Sequence, residues 1–152
     1  MRPKIRPRIR PARLDDINGL LAIERVFPTD RLGRRQFRHA VQSPTVDLLV
    51  ADGAEGPIGY ALVQRRRDSR AGHLSSIAVK RGAAGKGLGR HLLAAAEAEA
   101  RAKGCERLRL EVRADNAAAR KLYEKHGYRR LETLEDYYED GEAAWRYEKA
   151  LR

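Results

Sequence analysis

The amino-acid sequence predicts an α+β domain built on a mixed, mostly antiparallel sheet. Apolar residues recur with the two-residue period of strands in some segments and with the helical period in others, in the order β-α-α-β-β-β-α-β-α-β-β. A turn-rich hairpin links two of the short strands, as antiparallel pairing requires. With 152 residues, 42% of them apolar, the chain suits one folded domain spanning residues 1–152 rather than a disordered tail.

The first third of the chain predicts an edge strand and two helices. Prolines are frequent in the opening segment and exclude a regular helix there, but they allow an edge strand over residues 5–10. Helical spacing of apolar residues begins at Leu14 and is stopped by Pro28. A second, shorter helix is predicted over residues 31–42, before Pro44.

The middle of the chain changes to strand-like runs and then to a glycine-rich turn. Runs at 46–51 and 58–64 flank a turn and predict an antiparallel hairpin, and a third run covers 74–79. Glycines then crowd residues 82–89, and a helix begins at once and ends at Lys103-Gly104. The sequence therefore predicts a strand, a glycine loop and a helix in direct succession.

The last third alternates strand, helix and hairpin. Residues 107–113 alternate strictly between apolar and charged side chains, which predicts a strand buried on one face. A helix over 116–126 and strands near 128–134 and 144–151 follow. Together these elements predict about four helices on the two faces of the sheet.

Charge and cysteine usage limit the classes of partner and compartment. The chain has 32 Lys and Arg against 21 Asp and Glu, a formal net charge of +11, which favours an acidic partner such as nucleic acid, a membrane surface, a ribosome or a polyphosphorylated cofactor. The single Cys105 cannot form an internal disulfide and favours the cytoplasm. No apolar run is long enough for membrane insertion, and the four histidines lack the spacing of metal ligands, so no metal is expected.

The glycine loop predicts an anion-binding site. Backbone amides at a helix N-terminus lack helical acceptors, and the helix dipole adds positive charge there. A nucleoside-triphosphate loop needs Ser or Thr after the lysine, but Gly87 follows Lys86. The spacing and the antiparallel strands before it also disfavour a dinucleotide fold. A glycine turn without a ligand remains open on this pattern alone.

Several short motifs follow one another in the second half of the chain. They are Ile77-Ala78-Val79, Gly87-Leu88-Gly89-Arg90, Leu110-Glu111-Val112-Arg113, Asn116-Ala117-Ala118-Ala119, Leu122-Tyr123 and Tyr137-Tyr138. Taken in this order, they resemble the GNAT superfamily of acyl-CoA-dependent N-acyltransferases. The second half of the chain resembles the branch that acetylates protein N-termini, typified by ribosomal protein alanine acetyltransferases. The resemblance implies a GNAT-like fold and acetyl-CoA as cosubstrate.

The resemblance also implies which residues hold the cosubstrate. Backbone groups of the third run would bind the pantetheine arm, the glycine loop would bind the pyrophosphate, and an asparagine would contact the arm from the other side. These residues are Ile77, Ala78, Val79, Gly85, Lys86, Gly87, Gly89, Arg90 and Asn116. Asn116 is also placed to cap a helix. The chain departs from the family at Ala84, which replaces the Arg or Gln that opens the pyrophosphate signature, and at Thr29 and Ala143.

Two residues are candidates for proton transfer. Glu111 is the expected general base, acting through ordered water or with a raised pKa; alternatively it forms a surface ion pair with Arg109 or Arg113. Tyr123 is the expected acid that protonates the departing thiolate, because a phenol keeps its proton at neutral pH. Helical spacing alone equally allows Tyr123 to be a core residue.

The acceptor side is predicted from an acidic, aromatic loop. Tyr137 and Tyr138, with Glu24 on the opposite wall, would frame a cationic amine, or all three are solvated loop residues. The sequence thus predicts transfer of an acetyl group to a primary amine, namely a protein N-terminus such as that of a ribosomal protein, with the basic surface guiding the enzyme to a ribosome or an acidic partner. Small-molecule amine acetylation, a basic nucleic-acid-binding module and an acetyl-CoA-sensing module remain alternatives.

Overall fold

The computed structural model describes residues 7–27, 30–83 and 87–151, and its elements follow the predicted order. A single 3₁₀ turn, Leu14–Asp16, precedes the first helix. The helices are α1 Ile17–Glu24, α2 Arg34–Gln42, α3 Leu88–Ala102 and α4 Ala117–Lys125. The strands are β1 Ile9–Pro11, β2 Val46–Gly53, β3 Gly56–Gln64, β4 Ala71–Val79, β5 Arg107–Arg113, β6 Arg129–Leu134 and β7 Ala144–Ala150.

The strands form one sheet of mixed direction in the order β1-β2-β3-β4-β5-β7-β6. Only β4 and β5 run parallel; every other neighbouring pair is antiparallel. This confirms the α+β fold class and the edge position of β1, although the first residues of the predicted edge strand, 5 and 6, lie outside the described part. The parallel pair is joined through α3, as a crossover requires.

The two N-terminal helices begin later than the sequence pattern predicts. Helical spacing starts at Leu14, but residues 14–16 form the 3₁₀ turn because the Asp16 carboxylate accepts a hydrogen bond from the Arg13 amide at 2.7 Å and pairs with Arg10 at 2.8 Å. The second helix begins at Arg34 rather than residue 31, after Gly33 in extended conformation. Both differences are at helix ends, where local side-chain contacts decide which residue begins the helix.

Two apolar clusters cover the two faces of the sheet. The larger cluster joins α3 and the Tyr123 side of α4 to the faces of β3, β4, β5 and β7. The smaller cluster joins α1 and α2 to β2 and β3 around the fully buried Phe37 and Tyr60, whose rings meet edge to face at 5.5 Å. No helix in the described ranges has both the length and the apolar character needed to cross a bilayer.

The sheet opens between its two parallel strands. Pairing of β4 with β5 joins Ala71–Leu74 to Arg107–Leu110 and stops there, although β4 continues to Val79 and β5 to Arg113. On its other side β4 stays paired with β3, with Ser75 left out of the register between Leu74 and Ser76. The two strands therefore separate beyond Leu74 and Leu110, which leaves one backbone edge of each strand available to a ligand.

Candidate active site

A cavity of about 550 Å³ lies at the opening between β4 and β5. Six of the sequence-predicted site residues line it: Glu24, Ile77, Glu111, Asn116, Tyr123 and Tyr138. They come from α1, β4, β5, α4 and the β6–β7 loop, so the fold gathers residues that are as far apart in the chain as Glu24 and Tyr138. Phe27 and Asp30, from the α1–α2 connection, complete the wall beside Glu24.

The N-terminus of α3 supplies backbone donors on the cosubstrate side. Gly87 has a φ of +74°, in the left-handed region that favours glycine, and directly precedes the helix. No described residue accepts from the amides of Leu88, Gly89 or Arg90, whereas His91 donates to the Gly87 carbonyl at 3.0 Å. A Cβ built on Gly89 would meet nothing closer than Val79 at 4.0 Å. This donor set fits a pyrophosphate.

Part of the predicted pyrophosphate loop lies outside the described residues. Gly85 and Lys86, together with the departure at Ala84, belong to the segment 84–86, and their contribution stays a prediction. Thr29 lies outside the described ranges as well. The cosubstrate side is thus described at the α3 N-terminus, at the free edge of β4 and at α4.

Asn116 caps α4 and also lines the cavity. Its side-chain Oδ1 accepts a hydrogen bond from the Ala119 amide at 3.1 Å, so the expected N-cap is confirmed. Because a cap residue lies at the start of its helix, α4 begins at the wall of the cavity and carries Ala119 and Tyr123 along it.

Glu111 is buried and makes three side-chain hydrogen bonds. It has 6% exposure and is 2.6 Å from His73 Nε2, 3.1 Å from Arg146 Nε and 3.2 Å from the Tyr137 hydroxyl. The alternative of a surface ion pair with Arg109 or Arg113 is wrong, because β7 places Arg146 directly opposite Glu111. Arg109 pairs with Glu148, and Arg113 pairs with Asp115 and Asp140.

The pKa of Glu111 is lowered, which contradicts one of the two expected ways for it to act as a base, a raised pKa, and leaves transfer through ordered water. Burial pushes this pKa upward, but the hydrogen bonds and positive charges of His73 and Arg146 together outweigh burial. The carboxylate is therefore ionised at neutral pH and is a weak base on its own. A proton that the Glu111 carboxylate accepts must therefore pass on to a second base.

In its neutral form His73 can act as such a base, and the sequence pattern did not single it out. It lies on β4, its side chain is 38% exposed, and it touches the buried Glu111. Imidazole is the side-chain base best matched to neutral pH. The contact depends on the parallel pairing that sets His73 opposite Arg109, two residues from Glu111. The sequence pattern of β4 alone does not indicate that this strand pairs with β5.

Tyr123 belongs both to the core and to the cavity. Its side chain is 8% exposed, and its ring meets that of Tyr128 edge to face at 5.6 Å. Burial raises the pKa of Tyr123 to about 12, so the phenol remains protonated under ordinary conditions. The two sequence interpretations, core tyrosine and cavity tyrosine, describe the same residue.

Glu24 is a second buried carboxyl group on the opposite wall. It is the last residue of α1, is 3% exposed, and accepts hydrogen bonds from the Tyr60 hydroxyl at 2.6 Å and the Leu32 amide at 3.3 Å. Burial raises its pKa, although the two hydrogen bonds oppose the shift. The alternative of a solvated loop residue is wrong for Glu24, because α1 carries it into the interior.

The two adjacent tyrosines of the β6–β7 loop occupy different environments. Tyr138 lines the cavity with the Arg113 guanidinium 5.0 Å from its ring centre. Tyr137 is 45% exposed, yet its hydroxyl reaches Glu111. Their rings meet edge to face at 5.0 Å. Tyr138 therefore forms part of the cavity wall, and Tyr137 lies at the edge of the cavity.

Comparisons with known proteins agree with this geometry. The model of the acetyltransferase (GNAT) family matches residues 15–128. An N-alpha-acetyltransferase of Sulfurisphaera tokodaii is 31% identical over 149 residues, covering 91% of this chain and 89% of the relative. The Arabidopsis thaliana N-terminal acetyltransferase A complex catalytic subunit is 32% identical over 149 residues, covering 95% of this chain and 78% of the relative. The crystal structure of the ribosomal-protein-S18-alanine N-acetyltransferase of Escherichia coli superposes with a TM-score of 0.85 at 27% identity, covering 96% and 94%.

Proposed function

The chain belongs to the acetyltransferase (GNAT) family, and we propose that it transfers an acetyl group from acetyl-CoA to the α-amino group of a protein N-terminus. The observation that carries the proposal is the cavity at the β4–β5 opening, which holds Glu111 and Tyr123 between the α3 N-terminus and the acidic β6–β7 loop. The similarity to proteins named as N-terminal acetyltransferases over nine-tenths of the chain supports a protein acceptor.

The cosubstrate side acts mainly through backbone groups. Acetyl-CoA supplies the activated acetyl group as a thioester. The amides of residues 88–90 would bind its pyrophosphate, and the free edge of β4 at Ile77, Ala78 and Val79 would pair with the pantetheine arm as an added strand does. Asn116 stands beside that arm while its Oδ1 caps α4. Most of these contacts would use backbone groups, and the glycine at position 89 leaves space for a ligand to approach them.

Glu111 and His73 form the route by which the acceptor loses its proton. An α-ammonium must become a neutral amine before it attacks a carbonyl carbon. The ionised Glu111 lines the cavity, attracts the ammonium and accepts the proton directly or through water. His73, at 2.6 Å and partly exposed, takes the proton onward to solvent. Arg146 holds the other carboxylate oxygen and keeps Glu111 in place.

Tyr123 supplies the proton for the leaving thiolate. A phenol with a pKa of about 12 is protonated at neutral pH, and a thiolate is the product that needs the proton. Tyr123 lines the cavity from α4, as does Asn116 at the start of that helix, where the cosubstrate is expected. Acid and base therefore occupy different elements, α4 and β5.

The acceptor side selects a cationic amine and an exposed polypeptide end. Tyr138, Asp140 and Glu24 line the cavity, and Tyr137 stands on its rim, so aromatic faces and carboxyl groups surround the entering ammonium. A ribosomal protein in the cytoplasm is the proposed acceptor class, with the net charge of +11 favouring the approach to a ribosome. The reduced, buried Cys105 suits that compartment.

A thiol-release assay tests the proposed function. Purified protein, acetyl-CoA and a panel of peptides with free or blocked N-termini are compared with a panel of polyamines and aminoglycosides, and product peptides are analysed by mass spectrometry. We expect acetylation at the α-amine of free peptides and none on blocked ones. Exclusive use of small amines would replace the peptide acceptor, and turnover that survives unchanged in Glu111→Gln would contradict the role of Glu111.

A further inference from the structure

Five arginines form an exposed basic surface on one side of the acceptor cavity. Arg34, Arg35 and Arg38 lie on α2, and Arg25 and Arg31 on the connection that precedes it; this set is called the arginine face. All five are exposed. Arg31 donates to the backbone carbonyls of Phe27 and Arg25, and Arg34 donates to Asn18. None of them forms an ion pair with a carboxylate in the described ranges.

Elsewhere the chain pairs many of its arginines with acidic residues. Arg10, Arg65, Arg109, Arg113 and Arg146 each have a carboxylate partner within 3.2 Å. Unlike those residues, the arginine face concentrates like charges on a short helix, which opposes folding through their mutual repulsion. Its positive charge is therefore available to an external acidic group.

A groove connects the arginine face to the acceptor cavity. This groove, about 420 Å³ in volume, is bordered by Arg35 and His39 from α2 and floored by apolar side chains that include Val46 and Leu62. Ser75 lines both the groove and the acceptor cavity. A chain leaving the cavity past Ser75 therefore enters a channel with an apolar floor and a cationic wall.

Carboxyl groups line the cavity itself, whereas none of the five arginines is among the described residues that line it. The β6–β7 loop includes Glu135, Asp136, Glu139, Asp140 and Glu142, and Asp140 lines the cavity. The arginine face stands on the α1–α2 side, beyond Glu24 and Phe27. A ligand that is positive at its end and negative a few residues further matches this arrangement.

We propose that the groove and the arginine face bind residues about three to six of the acceptor polypeptide and favour acidic side chains there. This inference rests on the proposed function, because it assigns the part of the same acceptor that follows the reacting amine. Three extended residues span about 10 Å, so side chains just beyond the N-terminal pair reach a groove that adjoins the cavity. The α-ammonium meets the acidic loop, and the following carboxylates meet Arg35 and Arg38.

Matched peptides test the proposal. Three peptides share their first two residues and differ at positions three to six, which are all Glu, all Gln or all Lys. We expect kcat/KM to be about tenfold higher for the Glu peptide than for the Gln peptide at low ionic strength, with the Lys peptide poorest. The preference should shrink as salt is added, because exposed charges are screened.

Charge reversal locates the preference on α2. Arg35→Glu places an acidic residue in the first turn of α2, where the helix dipole favours it, so the variant is expected to fold. Arg35→Glu should reduce the ratio of kcat/KM for the Glu peptide to kcat/KM for the Gln peptide, and Arg35→Glu combined with Arg38→Glu should abolish the preference for Glu. Arg129→Glu, which changes the charge by as much as Arg35→Glu alone but on the far edge strand β6, should keep the preference.

The outcomes separate this proposal from the proposed function. Equal use of the Glu and Gln peptides would overturn the proposal and leave N-terminal acetylation standing. Equal use of those peptides together with RNA binding that is lost on reversal of Arg35 and Arg38 would overturn it in favour of a nucleic-acid surface. Acetylation of none of the peptides would overturn the proposed function itself.

Discussion

The two sides of the active cavity bind by different means. On the cosubstrate side the available groups are mostly backbone: the amides at the start of α3, the unpaired edge of β4, and a helix cap at Asn116. On the acceptor side they are mostly side chains: Glu24, Glu111, Tyr137 and Tyr138, held by partners from distant segments.

This difference has a physical cause. Coenzyme A presents the same pyrophosphate and pantetheine in every turnover, so a fixed backbone geometry can bind it, and glycine is the residue that such a close approach requires. Acceptors differ in charge and shape, which only side chains can discriminate. Substitutions on the two sides should therefore have separable effects on cosubstrate affinity, on turnover and on acceptor choice.

Tyr123→Phe is expected to give the largest effect, on turnover. Removing the phenolic proton should lower kcat by about a hundredfold or more, the range typical of general acid–base catalysis, while the affinity for acetyl-CoA measured by calorimetry changes little. Tyr128→Phe is the matched control, because Tyr128 is also buried but its hydroxyl bonds Glu97 away from the cavity. It should lose stability and keep kcat. An equal loss of kcat in both variants would assign Tyr123 to the core alone.

Gly89→Ala should weaken cosubstrate binding without weakening the fold. Alanine is a better helix residue than glycine, by up to about 1 kcal/mol, and among the described residues the nearest contact to a methyl group there is Val79 at 4.0 Å. A pyrophosphate held against the amides would be displaced, and we expect the dissociation constant of acetyl-CoA to rise about tenfold. Calorimetry and thermal unfolding measure both quantities.

Gly87→Val is a less specific test of the same contact. The φ of +74° strains any residue with a Cβ, so a valine there changes the backbone as well as blocking the ligand.

Gly33→Ala, at the start of α2, is the control for Gly89→Ala, since its Cβ would also have space. Unchanged acetyl-CoA affinity in Gly89→Ala would remove the α3 N-terminus from the binding site.

A smaller effect is expected on acid stability, where Glu111 and Glu24 should differ in sign. The pKa of Glu111 is lowered from 4.5 in the folded protein, so its contribution is present above that value and is lost as the pH falls through the lower folded pKa. Glu111→Gln should make the free energy of unfolding fall less steeply below about pH 4. His73→Ala removes one hydrogen-bond partner of Glu111. Its free energy of unfolding should therefore depend on pH less steeply than that of the unaltered protein and more steeply than that of Glu111→Gln.

Glu24 has the opposite linkage. Burial raises its pKa above 4.5, so its contribution is present below that value and is lost as the pH rises through the folded pKa. The free energy of unfolding of Glu24→Gln should therefore fall less between acid and neutral pH than that of the unaltered protein. The amide oxygen of the variant can still accept the hydrogen bond from Tyr60. Urea unfolding from about pH 3 to pH 7 measures both variants. Parallel pH profiles for the two variants would contradict the opposite shifts.

Much of the fold was predictable because it is encoded locally. Alternation of Leu108, Leu110 and Val112 with charged residues predicted β5 with its observed bounds, and the glycine pattern before Leu88 predicted where α3 begins. The start of α1 was predicted too early, because the contact of Asp16 with Arg10 involves a strand that helical periodicity does not describe. Local rules fail where a side chain bonds to another element.

The candidate site was predictable only in part, for the same reason. Glu111, Tyr123 and Asn116 were found through motifs, and the structure places all three on one cavity. His73 was missed, and the alternative of an ion pair for Glu111 named Arg109 or Arg113 rather than Arg146. Both errors concern pairing between strands, which depends on registers that are set across the sheet.

The sequence by itself determined the order of the elements, the glycine cradle before α3 and the family to which the chain belongs, because these depend on residues close together in the chain. Only the tertiary structure decided which charges meet: it buried the Glu111 side chain between His73 and Arg146 and carried Glu24 inward to the hydroxyl of Tyr60. Those contacts join distant segments, and their energies depend on burial and distance, which no local pattern specifies.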